Sequence, residues 1–378
     1  MSNHIYIVAG EASGEAHAAR LVTALKQHQP AIYITGIGGD KMRAAGADIS
    51  IDFAELAVMG LVEVIKRYPK IKGIFNQVVE ELRRQPPDLL ILVDYPGFNL
   101  KLAKQAKKLG IKVLYYISPK IWAWRAGRIE QIKRDVDHMA VLFPFEQEIY
   151  QSAGVEVSCV GHPLVDAVHT ALSSSAAREK FNLENGKRVI GLFPGSRRSE
   201  ISALLPVMLA AAERIEKRHF PIQIIVPQAP GIDEAYLQQY LSNSILPIKI
   251  IKDDFYDVIK ACDAIVAASG TVTLEIALIG VPHFITYKVS PWSYRILKRL
   301  VKIPYVGLCN IVTQRPVIKE LLQDDVTDVR LEQQLMDLLT HPQRLQHAEQ
   351  IRIQVREALG PSGGADNAAE LVLSLLSE

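Results

Sequence analysis

The chain has 378 residues, a length that predicts two domains with room for a third small one. Apolar residues make up 49% and charged residues 22%, with 23 Gly and 20 Pro, which excludes disorder, a collagen-like repeat and a small disulfide scaffold. Forty-three Lys and Arg against 41 Asp and Glu leave a formal charge of +2, too balanced for a surface that coats nucleic acid.

In chain order, apolar runs at Ile5–Ala9, Ile32–Ile37, Leu89–Val93, Val113–Ile117 and Met139–Phe143 predict strands with helical stretches between them. Further runs follow at Val189–Phe193, Ile222–Val226, Ile248–Ile251, Ala264–Ala267 and His283–Thr286. Crossovers of this length require mostly parallel strands with helices on both faces. The expected architecture is α/β, with two doubly wound Rossmann-like domains facing one cleft. Ligands then sit at the carboxyl ends of the strands. The polar stretch from Ser173-Ser174-Ser175 to Asn185-Gly186-Lys187 places the junction, giving a first domain over 1–172 and a second over 186–344. From about Leu331 the chain reads as helices only, broken at Gly360-Pro361-Ser362-Gly363-Gly364.

Ile5–Ala9 is too short, and lacks the basic flank, to be a signal peptide, so a cytoplasmic protein is expected. Cys159, Cys262 and Cys309 are odd in number and widely spaced, which fits a reducing compartment and offers no metal knuckle. Ala264 to Tyr287 is long enough to span a bilayer, with Glu275 as its single charged residue. Ser269-Gly270 and Gly280-Val281-Pro282 instead cut it into strand, helix and strand.

The first strand ends in Gly10-Glu11-Ala12-Ser13-Gly14-Glu15, where two glycines permit a tight turn and the following helix presents unpaired N–H groups. This suits an anion or a sugar; since it is neither a dinucleotide fingerprint nor a Walker loop, a plain connection is the other reading. Asp94 ends Leu89–Val93 just before Tyr95-Pro96-Gly97 stops the strand. It is either a general base or an N-cap or turn aspartate for the helix beginning near Phe98. Glu11 adds a second carboxylate at the same edge if the two strands are close. Pro194-Gly195-Ser196-Arg197-Arg198 joins a turn to guanidinium groups able to hold a diphosphate, or leaves those arginines in a solvated loop. Ser269-Gly270-Thr271 ends a strand and opens a helix, so backbone N–H groups can reach a phosphate. Glu275, one turn on, is a partner for ribose hydroxyls or ordinary dipole compensation. Asp135-Val136-Asp137 precedes a strand, where a metal-binding pair is expected after one, and is discounted. His162 in Gly161-His162-Pro163 donates to a substrate or fills a turn, and His138 reads as structural.

Charge placement favours an anionic partner. Ile276 to Lys319 holds seven Lys or Arg and no acid, and Leu100 to Arg134 holds ten against Glu130 alone. Trp292, Ile296 and Leu300 can share one face of a basic helix over 292–302, as interfacial helices do, or pack on the core. Ala54–Val64, apolar except for Glu55 and Glu63, can receive an acyl chain, lie on a membrane or form a core helix. Nucleic acid is disfavoured because no matching motif accompanies the basic tracts.

Eight ordered motifs together resemble one family, the lipid-A-disaccharide synthases, inverting glycosyltransferases of the GT-B fold. They are Gly10–Gly14, Glu55-Leu56-Ala57-Val58-Met59-Gly60, Asp94-Tyr95-Pro96-Gly97-Phe98-Asn99, and Ser118-Pro119 with Trp122-Ala123-Trp124-Arg125. Phe143-Pro144-Phe145-Glu146, Gly161-His162-Pro163, Pro194–Arg197, and Ser269–Thr271 with Glu275 complete the set. The resemblance implies transfer of diacylglucosamine from UDP-2,3-diacylglucosamine to 2,3-diacylglucosamine 1-phosphate, giving lipid A disaccharide 1-phosphate and UDP. It places Asp94 and Glu11 as catalytic, and Ser13, Gly14, Met59, Trp124, Arg125 and His162 at the sugar substrates. It places Gly195, Ser196, Arg197, Ser269, Gly270, Thr271, Glu275 and Asn310 at UDP. Glu15 stands where the family usually has Asp, and Cys309 where Pro is common. The resemblance further implies no metal or cofactor, C-terminal helices 345–378 packing back on the first domain, and peripheral association with the cytoplasmic surface of the inner membrane. A homodimer is the further partner it allows. The rivals are other GT-B enzymes, a UDP-GlcNAc 2-epimerase or the muramyl-lipid GlcNAc transferase. The latter typically has a Gly-Gly-rich turn after strand one, which Gly10–Gly14 does not match.

Overall fold

The computed structural model describes residues 3–56, 61–124, 126–290 and 304–377, with side chains excepted at 61–68, 123, 124 and 126. The chain divides into two compact units, one over Met1–Pro163 with Leu359–Glu378 and one over Leu164–Ala358.

The first unit is built on seven parallel strands: β1 (His4–Ala9), β2 (Tyr33–Gly38), β3 (Asp48–Asp52), β4 (Leu89–Val93), β5 (Lys112–Tyr116), β6 (His138–Val141) and β7 (Val157–Cys159). Their order is β3-β2-β1-β4-β5-β6-β7, so the chain winds outward from β1, returns, and winds the other way from β4. Alternate strand residues feed opposite faces. Tyr6, Val8, Leu90 and Leu92 pack with one set of helices, and Ile5, Ile7, Leu89 and Ile91 with the other. Because both faces are buried, the strands carry almost no polar residues, and charge is confined to strand ends.

The second unit repeats the plan with β8 (Arg188–Phe193), β9 (Ile222–Pro227), β10 (Ile248–Ile251), β11 (Ala264–Ala268), β12 (His283–Tyr287) and β13 (Glu320–Leu322), in the order β10-β9-β8-β11-β12-β13. All pairings are parallel, and two apolar clusters again cover the two faces. The Ala264–Tyr287 window is β11, the helix Val272–Ile279 and β12. No helix among the described residues is long and apolar enough to cross a membrane.

Two boundaries differ from the sequence expectation. The polar stretch after Leu164 belongs to the second unit, because its polarity is spent on local bonds. Ser173 caps the helix Ser174–Lys180, Thr170 bonds Asp257 at 2.5 Å, Arg178 donates to the Ala261 carbonyl at 2.9 Å, and Lys180 pairs with Asp257 at 2.7 Å. At the other end only 359–378 joins the first unit. The helix Arg344–Ala358 packs on Val272–Ile279 of the second, where Arg356 donates to the Val165 carbonyl at 3.0 Å. The helix Gly364–Ser377 does pack on Ala12–His28, through Ala368, Ala369 and Val372.

Gly161 is where the two chain segments of the first unit meet. Its φ is +90°, a Cβ there would fall 2.1 Å from the Pro361 carbonyl oxygen, and the adjacent His162 N–H donates to Leu359 at 3.0 Å. The obstruction is backbone, so no side chain can swing aside. Gly161→Ala is expected to destabilise the protein by about 2–4 kcal/mol, read as a drop in the urea midpoint without a change of slope.

Candidate active site

In a doubly wound sheet the ligand crevice opens where the winding reverses. In the first unit that point lies between β1 and β4, whose register pairs Ala9 with Val93 and so sets Gly10 beside Asp94. The Tyr95 ring lies so close to Gly10 that a Cβ there would be 2.3 Å from Cδ1. Asp94 and Tyr95 both adopt left-handed backbone, each with φ 45°, on the order of 1 kcal/mol of strain apiece. The strained turn is pinned by two bonds to the Asp94 carbonyl, from Asn99 Nδ2 at 2.8 Å and Tyr115 Oη at 2.5 Å. Tyr95, not Asp94, occupies the N-cap position of the helix Pro96–Lys108, so Asp94 is a turn residue and not the N-cap.

The Asp94 carboxyl is pushed up to about 6 by burial and then by the Glu11 charge, against the opposing Lys120 ammonium and the Tyr95 N–H. Glu11 caps Ala12–His28 in extended backbone, and Ser13 Oγ donates to its Oε1 at 3.2 Å. Glu11, Ser13, Gly14 and Asp94 are therefore brought together. Glu15 is elsewhere: it is buried, and its Oε1 accepts the N–H groups of Lys41 at 2.8 Å and Met42 at 3.3 Å, capping the helix Asp40–Ala44. That is a structural task for its carboxylate.

The other motifs of the first half follow the carboxyl ends of successive strands, Ser118-Pro119 after β5, Phe143–Glu146 after β6 and Gly161-His162 after β7. His162 stacks on Phe143 with centroids 5.2 Å apart, and burial with nearby His17 and Arg20 pushes it down to about 4, so it is neutral at pH 7. His138 Nε2 meets Ser158 Oγ at 2.9 Å. Asp137 accepts the Val113 N–H at 2.8 Å and pairs with Lys107, and Asp135 pairs with Arg134, so neither carboxylate is open. Met59, Arg125 and the 292–302 segment lie outside the described residues, as do the side chains of Trp124, Leu61 and Val62.

In the second unit the reversal lies between β8 and β11, which pair Phe193 with Ala267. A cavity of about 520 Å³ opens there, lined by Gly195, Ser196, Arg197, Ser269, Gly270, Thr271 and Glu275 together with Gln228, Lys252 and Phe255. Seven of the residues expected at UDP thus share one cavity. Glu275 accepts from Tyr256 Oη at 3.4 Å, and burial raises its carboxyl.

Two of the groups expected at UDP are already engaged within the chain. Asn310 is buried, with Nδ2 donating to the Ile318 carbonyl and Glu320 Oε1, both at 2.7 Å, and Oδ1 accepting from Ile318 N–H at 2.8 Å. Its amide holds the chain beside β13. The turn at Ser196-Arg197 is also not an open cradle. Glu200 Oε2 takes both backbone N–H groups, at 3.1 and 3.2 Å, and Oε1 pairs with the Arg197 guanidinium at 2.8 Å. A carboxylate already sits where an anion would. Arg198 lies 4.7 Å over the Tyr236 ring and pairs with Asp233, the solvated reading.

Sequence reasoning gave no role to Asn99, Lys120, Glu146, Gln228, Lys252 or Phe255. A signal existed for Glu146, an acid in the first turn after Phe143-Pro144 at a strand end. None existed for Lys252 and Phe255, which reach the cavity through the β10 crossover.

Two parallel-sheet units of this topology define the GT-B class. The calicheamicin glycosyltransferase CalG4 superposes with a TM-score of 0.61 at 13% identity, covering 100% of this chain and 99% of that one. Acinetobacter baumannii MurG superposes at 0.58 and 17%, with 100% and 99% covered. A family model described as LpxB, lipid-A-disaccharide synthetase, matches residues 5–373. The lipid-A-disaccharide synthase of Trichlorobacter lovleyi is 46% identical over 374 residues, 99% of this chain and 98% of that protein. That of Coxiella burnetii is 43% identical over 377 residues, 100% of both. The chain belongs to the lipid-A-disaccharide synthase family and is a glycosyltransferase.

A carboxyl whose folded pKa exceeds its unfolded value is penalised when ionised. For Asp94 the penalty is complete above about pH 6 and fades as the pH falls towards 4. Asp94→Asn removes it, and Asn tolerates left-handed backbone. The variant is expected to be more stable than the parent at pH 8, by about 2–3 kcal/mol, with the difference closing near pH 4, as urea unfolding at the two pH values will read.

Proposed function

We propose that this chain joins UDP-2,3-diacylglucosamine to 2,3-diacylglucosamine 1-phosphate, forming lipid A disaccharide 1-phosphate and UDP with inversion at the anomeric carbon. The observation that carries the reading is Asp94, a carboxyl held on a pinned, strained turn at a winding reversal with a pKa raised towards neutrality. Such a group is ionised at pH 7 yet basic enough to take a proton. In the step proposed, the acceptor 6-hydroxyl passes its proton to Asp94 while its oxygen bonds to the anomeric carbon, and the bond from that carbon to the UDP oxygen breaks. Glu11 keeps Asp94 basic. The diphosphate takes the charge onto the first-turn N–H groups of Val272–Ile279 and onto Arg197, displacing the Glu200 carboxylate from its seat. Glu275 accepts from the ribose hydroxyls.

Family membership supports the substrates, and the sequence supports the location. Met59, Leu61 and Val62 supply apolar contact for acyl chains, and the basic tracts over 100–134 and 276–319 face anionic lipid at the cytoplasmic surface of the inner membrane.

The test is turnover of UDP-2,3-diacylglucosamine with and without the acylated 1-phosphate, reading UDP release and disaccharide formation by mass spectrometry. Disaccharide forming only with both substrates is expected, and UDP release without acceptor favours a hydrolase or epimerase instead. Asp94→Asn is expected to lower kcat by about 100-fold or more while leaving UDP affinity unchanged.

Gly270 tests the nucleotide side independently. A Cβ there meets nothing within 4 Å, so the fold does not require glycine. Gly270→Val is expected to leave Tm within a degree or two and to weaken UDP binding by about tenfold or more in calorimetry, because the bulk fills the space through which a phosphate approaches.

A further inference from the structure

His283 opens β12 and Lys319 stands just before β13, and around these two strand starts lies a cavity of about 310 Å³. It sits at the opposite end of the second sheet from the crevice beside β8 and β11, separated from it by the length of β12, about 13 Å from His283 to Tyr287. The helices Asp328–Thr340 and Arg344–Ala358 form its other sides, and no residue lines both cavities.

Four buried side-chain polar atoms lack a partner among the described residues, and two of them, Arg344 Nε and His283 Nε2, belong to this lining. Such an atom costs about 1–3 kcal/mol, so two at one cavity call for a reason. Arg344 is the sharper anomaly. Arg178, Arg214 and Arg352, also partly buried on helices, each pair with a carboxylate, whereas Arg344 pairs with none among the described residues. It also opens its helix, where the positive end of the backbone dipole disfavours a cation, and the first turn carries no acid to offset it. Asp337 is the single acid of the lining. His283 adds a polar atom but no charge, since Nδ1 donates to the Val281 carbonyl at 2.9 Å and burial pushes the ring down to about 4. The rest of the lining is largely apolar, with Phe284, Leu338, Ala348 and Ile351. At about 30 Å³ for a water-sized group, the volume suits a ligand of roughly ten heavy atoms. That is too small for a nucleotide, and the apolar wall would leave sugar hydroxyls unmatched.

We propose that this cavity is a second ligand site, one that takes a small anionic amphiphile, with an oxyanion head on Arg344 and the first turn of Arg344–Ala358 and an apolar body against Phe284, Leu338 and Ile351. The head gives the Arg344 Nε–H its acceptor and puts negative charge at the helix start, where it is favoured. The body covers apolar surface that water would otherwise wet. Lys319 is exposed, and its ammonium adds little.

The probe is octanoate, a carboxylate of roughly that size, titrated into the full chain carrying ¹³C-methyl Leu and Ile. The signals of Leu338 and Ile351 are identified by their loss in Leu338→Met and Ile351→Val. Saturable shifts at both are expected, and Arg344→Gln is expected to weaken binding by about tenfold or more. In the parent chain, octanol, which has the body without the charge, and acetate, which has the head without the body, are each expected to bind at least about tenfold more weakly than octanoate. Those two arms decide the matter even where Arg344→Gln fails to fold. Shifts confined to other methyls, equal affinity in Arg344→Gln, or octanol or acetate binding as tightly as octanoate overturns the proposal. Neither turnover nor UDP enters the readout, so its failure leaves the proposed transfer untouched, and failure of the transfer assay leaves this site untouched.

Discussion

The arrangement of this molecule follows from one topological constraint. A parallel strand buried on both faces must be apolar along its length, so charge can appear only where the strand stops. At most strand ends the next helix closes over the edge at once. Where the winding reverses, the connections from two neighbouring strands depart to opposite faces and leave their carboxyl ends uncovered. Each unit has one such point, β1 beside β4 and β8 beside β11, and each is where the candidate chemistry collects. The glycines, carboxylates and helix starts at those points are consequences of the reversal.

The two reversals are furnished differently. In the first unit the strand ends carry carboxyls whose neighbours make ionisation harder, with burial and Glu11 raising Asp94 and burial raising Glu146. Such a surface takes up protons. In the second unit they carry Arg197, Lys252 and the first turns of helices, groups that favour negative charge. Glu200 fills part of that seat with the chain's own carboxylate, which satisfies N–H groups that would otherwise stay unpaired at a helix start. On the proposed reading, one unit receives the proton and the other the leaving diphosphate.

Much of the fold was legible because its central strands are hydrophobic runs with turn residues at both ends. Leu89–Val93 agrees with the sequence to the residue, and Val189–Phe193 misses only the first residue of β8. The strands that went unread are β3, β7 and β13, short and at or near sheet edges, where Asp48-Ile49-Ser50-Ile51-Asp52 looks like loop because only part of an edge strand is buried. The polar stretch near Ser173 misled for a related reason, since ion pairs and caps look like a linker until their partners, Asp257 and Ala261, are brought close by the fold. At the site, motif spacing located Asp94, Glu11, Arg197 and Glu275, because each follows a strand. Asn310 came from the family resemblance alone, and the partners of its amide, Ile318 and Glu320, depend on where β13 lies. Lys252 and Phe255 were invisible because a separate crossover delivers them.

The central claim is that the reversal beside β8 and β11, and not the one beside β1 and β4, holds the nucleotide. Amide hydrogen exchange of the whole chain with and without UDP tests this without assuming any catalytic role. The account predicts slowed exchange at the amides of Gly195–Arg198 and Ser269–Glu275, with Gly10–Glu15 and Asp94–Asn99 unchanged. Protection confined to the Gly10–Glu15 turn would contradict it.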